Sequence, residues 1–204
     1  MCNAYIRTET EIAGAHMTTV VGSISDEFGR YKALGEGAIA QLAEADLTRS
    51  LGEDSNTIAV IVWHIAGNLQ SRFTDFRTSD GEKPWRNRDE EFETRLVARR
   101  DLLARWEAGW QTLFTALREL EDGDLPSTVT IRGQRFTIND ALHRALAHVS
   151  YHVGQIVYLA KALKGTGWTS LSIPKGASAA YNQNPGRETA AAHAAGLKDR
   201  LSRS

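Results

Sequence analysis

The chain carries a single cysteine, Cys2, in 204 residues. No intrachain disulfide can form, and a thiolate-rich zinc site is excluded. Charge of one sign is equally scarce, since 24 basic side chains face 25 acidic ones for a formal net charge of −1. That balance rules out a strongly cationic nucleic-acid binder and a polyacidic disordered chain, though not a local basic patch. Long hydrophobic runs are missing too. The longest, Ile58 to Trp63, is far too short to span a bilayer. What is present is an apolar share of 42% together with 17 glycines, ordinary for one generous globular domain. These features predict a compact, cytoplasmic protein with no membrane role.

Residues 1–16 show no amphipathic period and no secretory pattern. The dipeptide His16-Met17 resembles the junction left by an expression vector, so 1–16 reads as an expression-derived or disordered arm and Met17 as the natural start. A native polar arm is the alternative. Losing Arg7, Glu9 and Glu11 would bring the net charge from −1 to 0.

Four amphipathic helices follow. Ile24, Phe28, Tyr31, Ala38 and Leu42 recur at helical spacing from Ser23 to about Ala45, with Ser23 or Ser25 as cap. Asn56 or Thr57 opens a second helix to about Arg77, striped by Ile58, Ile61, Ile65, Leu69, Phe73 and Phe76. The run Ser79 to Pro84 breaks it. A third seam runs from Phe92 through Leu96, Arg99, Leu103, Trp106, Trp110, Leu113 and Leu117 to Leu120 in alternating steps of four and three. The tryptophans read as core rather than as a cofactor box. Thr128–Ile131 and Arg135–Ile138 flank a glycine-bearing turn and predict a hairpin. A fourth helix runs from Thr137 or Asn139 to about Leu163, burying Ile138, Leu142, Ala145, Val149, Val153, Ile156 and Ala160. Beyond it, Trp168 to Pro174 reads as an extension lying on the body. Residues 185–204 read as a flexible tail, with a short helix over Glu188–Leu201 as the alternative. The expected fold is all-α: a four-helix bundle over residues 17–184, with a short hairpin before the last helix and a C-terminal extension.

His148 and His152 stand four apart on the fourth helix, on one face about 40° apart around the axis. One helix gives two imidazoles to one metal ion by this spacing. Taken alone the pair favours a solvated face, but it flanks the buried arc, where a solvent-reached yet rigid site belongs. A working metal needs a third ligand. His16 and His193 lie in the two presumed flexible ends and His143 points away, which leaves His64 on the second helix, otherwise a rim histidine. Asn68, Ser71 and Asp75 fall within about 40° of His64, with Arg72 about 80° away. They read either as a solvent stripe or as a polar pocket wall in which Arg72 meets an anionic group. Tyr151 and Gln155 flank the histidine pair and can orient ligands or substrate.

His64 followed by His148-Val149-Ser150-Tyr151-His152-Val153-Gly154-Gln155-Ile156 resembles the metal-binding pattern of the DinB/YfiT-like superfamily. Gly67 to Arg72, Asp80 to Pro84 and Leu171 to Pro174 resemble one of its subgroups, of uncharacterised function. The likeness covers residues 18–184. It implies a four-helix bundle with a long crossover, usually a homodimer, binding a divalent metal through His64, His148 and His152. Some members of the superfamily are thiol S-transferases using bacillithiol or mycothiol, or a mycothiol-dependent isomerase, and many have no known reaction.

The expected function is thus a metal-dependent enzyme holding zinc or nickel. Its most concrete form is thiol transfer with a low-molecular-weight thiol cosubstrate, and metal-assisted hydrolysis is the next. No residue stands out as catalytic acid or base. A non-catalytic, stress-related dimer with a structural metal is the alternative. A nucleic-acid role is disfavoured, because Glu93, Asp101 and Glu107 interleave with the arginines of the third helix.

Overall fold

The computed structural model describes residues 19–93 and 95–203. The proposed 1–16 arm and the Met17 start lie outside them. The described chain is helical with one two-stranded hairpin: α1 (Val20–Ile39), α2 (Ile58–Phe73), α3 (Arg99–Arg118), β1 (Thr128–Ile131), β2 (Gln134–Thr137), α4 (Ile138–Lys164), α5 (Ser178–Gln183) and α6 (Ala190–Ser202). Within the bundle α2 packs mainly against α3, α1 against α4, and α2 also meets α4. No described helix is long and apolar enough to cross a membrane.

Helix starts follow local capping chemistry. The Thr57 hydroxyl accepts from the backbone N–H of Val60, and the Thr137 hydroxyl from that of Asp140. Helix α1 begins earlier than Ser23, because Thr19 caps it and the Asp122 carboxylate takes the N–H groups of Val20 and Val21. Every member of the predicted α2 and α4 stripes is buried. Trp106 and Trp110 are core residues, meeting edge-on at 5.2 Å between ring centroids. Helices α2 and α3 approach closely at Gly109, where a Cβ would come within 2.7 Å of the Ala66 Cα.

The third helix is shorter than its seam suggests. Phe92 sits in a 3-10 turn (Asp89–Phe92), and Leu96, 92% exposed, belongs to an extended stretch before Arg99. Ala98 offers no capping side chain, so nothing local marks the true start. Arg99, the polar member of the seam, donates to the carbonyls of Ile39 and Leu42 and so satisfies the end of α1.

The long connection from α2 to α3 carries two features that shape the site. Its 3-10 turn lies on α2, and its Asp80-Gly81 corner docks the hairpin. The Asp80 carboxylate accepts from the backbone N–H groups of Arg132 and Gly133, and the Gly81 N–H donates to the Thr130 carbonyl. Both turn residues have positive φ, 53° at Arg132 and 72° at Gly133, as a tight two-residue hairpin requires.

At the C-terminus helix α6 (Ala190–Ser202) forms close to the helical alternative over Glu188–Leu201. Helix α6 packs on α1 and buries Ala194 and Leu197. The stretch 168–174 is held there as well: Gln41 exchanges two hydrogen bonds with the Thr169 backbone, and His193 Nε2–H and Arg200 donate to the carbonyls of Leu171 and Ser170. An alanine-rich segment folds here because a neighbouring helix face accepts it, a tertiary effect that local composition does not encode.

Candidate metal centre

The stripe of α2 turns His64 inward, to 4% exposure, while α4 presents His148 and His152 half-buried on the edge of its core face. The three imidazoles converge. One ring nitrogen from each lies within 4.8 Å of the others, and His64 Nε2 stands 3.1 Å from His148 Nε2. The ring centroids are 4.6 to 5.1 Å apart.

Tautomers follow from what each outer nitrogen touches. A carboxylate only accepts, so His64 Nδ1–H donates to Glu91 Oε2 at 2.9 Å. His152 Nδ1–H donates to Gln155 Oε1 at 2.8 Å. In the neutral tautomer that these contacts select, each ring presents an Nε2 lone pair. Protein-bound imidazoles on zinc are oriented in this way, by a second hydrogen bond on the far nitrogen. His148 Nδ1 is buried with no partner among the described residues. Burial, then the neighbouring His152 and His64, push the His148 imidazole down to about 3; burial likewise lowers His152 against the Gln155 hydrogen bond. His148 and His152 are thus biased toward the neutral imidazole, the form in which a histidine ligates a metal. Its donor set and tautomers are compatible with a divalent ion.

Behind His64 stands a buried ion pair that the sequence did not reveal. Arg86 forks onto Glu91 through Nε and Nη2, both at 2.8 Å. Burial alone would raise the Glu91 carboxyl, but hydrogen bonds from Arg86 and His64 outweigh it and hold it below the usual carboxylate range. Glu91 reaches its place only because residue 67 is glycine: a Cβ there would lie 2.1 Å from Glu91 Oε1. Phe92 follows directly and tilts its ring against His64 at 4.7 Å.

The histidines lie at one side of a cavity of about 440 Å³. Of the residues singled out from sequence, Asn68, Arg72 and Tyr151 line it, and Tyr151 is 64% exposed at its rim. Gln155 does not line it and instead orients His152. Ser71 is fully buried and donates to the Gly81 carbonyl, while Asp75 lies past the end of α2, so neither forms a cavity wall. Arg72 is tied to the Gly81 carbonyl and to Glu82 at 3.2 Å, and hence is not the free anion receptor it resembles in sequence. His143 points away, its Nδ1–H donating to the Asn139 carbonyl. None of residues 168–174 lines the cavity; that extension covers α1 instead.

Sequence reasoning also missed Arg144, which lines the cavity from α4. It stands four residues before His148, so the spacing that joined the two histidines could have found it. Glu91, Arg86 and Arg88 come from an aperiodic connection and offered no such signal.

The family model described as "Protein of unknown function (DUF1572)" matches residues 16–177, well over half of the chain. No curated protein and no solved structure matches it.

Proposed function

We propose that this chain, which belongs to the DUF1572 family of proteins of unknown function, is a divalent-metal enzyme of the DinB/YfiT-like kind. His64, His148 and His152 hold the ion, zinc or nickel. The supporting observation is that His64 and His152 each spend Nδ1–H on a fixed acceptor and offer Nε2 beside an open cavity rather than inside a sealed core. Three protein ligands leave a coordination position for a substrate atom. A bound ion would supply Lewis acidity and ease deprotonation of a thiol or water at neutral pH.

The chain's own residues give the rest. Arg86 and Glu91 fix the tautomer and angle of His64, and Gln155 does the same for His152. Phe73, Phe76 and Phe92 line the cavity and limit water. No cysteine is among the described residues that line it, and a low-molecular-weight thiol cosubstrate would supply the sulfur nucleophile. Thiol transfer to an electrophile is the most concrete reaction, and hydrolysis is the next. Incubating zinc- or nickel-loaded protein with bacillithiol, mycothiol and a panel of electrophiles tests it. A mass-detected conjugate that H148A fails to make is expected; no conjugate with fully loaded protein contradicts the transferase reading.

A second reading has its own observation. The histidines come from two separate helices, so an ion would clamp α2 to α4 in a non-catalytic, stress-related homodimer. A sharp loss of melting temperature in H64A, with no exchangeable ligand on the ion, favours that clamp. Sedimentation velocity tests the homodimer in either case.

A further inference from the structure

The cavity beside the histidines has a one-sided charge. Among the described residues five arginines line it (Arg72, Arg86, Arg88, Arg132 and Arg144), and no aspartate or glutamate does. The acids that partner them stand outside its lining. Glu82 is shared by Arg72 and Arg132, Glu91 holds Arg86, and Asp80 is engaged by the backbone N–H groups of Glu82, Arg132 and Gly133.

Two of the five are left largely uncommitted. Arg144 makes no hydrogen bond or ion pair among the described residues and lies over the Phe136 ring, 5.3 Å from its centroid. Arg88 lies over Phe92 at 4.9 Å, and its nearest carboxylate, Asp89, is 3.9 Å away and 97% exposed. A guanidinium stacked on an aromatic face has its plane fixed while its edge donors stay open, and that edge matches a carboxylate or phosphate. Arg86, with its side chain only 2% exposed, also keeps Nη1 without a partner. Phe73, Phe76 and Ile131 give it an apolar wall, with Asn68 and Tyr151 also in the lining. The volume is ample for a small organic molecule.

We propose that this cavity binds an organic anion, a carboxylate or phosphate ester on an apolar body, with Arg88 and Arg144 gripping the anionic group while the body lies on the phenylalanine wall toward the histidines. The proposal deepens the enzyme reading above and rests on this cavity being the substrate site. It also disfavours a cationic substrate, which would meet two uncommitted guanidiniums and no carboxylate among the described lining residues.

Titration calorimetry on the full chain, zinc-loaded and metal-free, tests it with four probes sharing one ring: phenyl phosphate, benzoate, benzyl alcohol and benzylamine. One of the two anions is expected to bind at least about tenfold tighter than benzyl alcohol, with benzylamine weakest, and R88Q and R144Q are each expected to weaken that anion about tenfold. Which anion leads tells phosphate from carboxylate. Both arginines are surface-reaching, so the variants should keep the wild-type circular dichroism and zinc stoichiometry. Equal binding of all four probes, or an anion preference that survives the R88Q/R144Q double variant, overturns the proposal. If the protein takes up no metal yet keeps an arginine-dependent anion preference, the metal reading fails and the anion subsite stands. Stoichiometric zinc with no anion preference means the reverse.

Discussion

Two carboxylates on the α2–α3 connection hold arginines, Glu91 one and Glu82 two, and they do different work. Glu91 is buried with Arg86 and touches His64; the exposures are 4% and 2% for the paired side chains. Glu82 bridges Arg72 and Arg132 at the hairpin, with the Glu82, Arg72 and Arg132 side chains 28%, 11% and 51% exposed, so that it reaches solvent where Glu91 does not. The chemistry is nearly the same and the surroundings are not. Where water is excluded, losing one partner strands a charge, whereas near solvent water replaces it. The first pair therefore sets the geometry of the histidine cluster, and the second only pins the connection to the hairpin.

The largest effect is expected at the buried pair. Glu91→Ala leaves Arg86 without its counterion and should destabilise the metal-free protein by about 3–5 kcal/mol in denaturant unfolding. A loss below about 1 kcal/mol, the range of an exposed pair, would erase the contrast with Glu82. Metal affinity comes next. Glu91→Gln, which weakens the acceptor for His64 Nδ1–H, and Gly67→Ala, whose methyl would collide with Glu91, should each cost about 10–100-fold in zinc affinity by competition with a chromogenic chelator. Unchanged affinity in both would detach Glu91 from the ligand set.

The histidines themselves give a smaller, pH-dependent effect. Burial and its neighbours hold His148 down to about 3, while an unfolded chain takes up that proton near 6.5. Between those values the unfolded state binds more protons, so the stability of the metal-free protein falls as pH is lowered through 6.5 toward 3. The depressed carboxylates, Glu91 among them, add their own loss only below about pH 5. A melting-temperature decline between pH 7 and 5 that shrinks in His148→Gln isolates the imidazole, and an identical decline in that variant contradicts its assignment. The smallest effect belongs to Glu82→Gln, about 1–2 kcal/mol, because the amide oxygen still accepts from Arg72, which also keeps the Gly81 carbonyl, and Arg132 is reached by solvent.

Much of this architecture can be read from residue order, and the exceptions share a cause. The α2 and α4 stripes, the threonine caps at 57 and 137 and the tryptophan core all follow local rules of period and capping, and the hairpin does so with its second strand one residue earlier, at Gln134–Thr137 rather than Arg135–Ile138. The three histidines come together because each lies on or beside such a stripe. The failures lie where periodicity is accidental or absent. Phe92 and Leu96 continue the α3 seam on paper, but the chain there is a 3-10 turn and an extended stretch with no cap to announce the helix. Glu91 is 27 residues from His64, in a connection with no repeat, and only the tertiary fold makes them neighbours. Helix α6 is legible only once the α1 surface it covers is known.

The most direct test is metal uptake by the wild-type chain, purified without chelator or affinity-column metal, offered zinc or nickel and assayed by elemental analysis. The account predicts one ion per chain, lost in His64→Ala and in His148→Ala. Sub-stoichiometric uptake by folded wild-type protein, or full uptake by both variants, would contradict it.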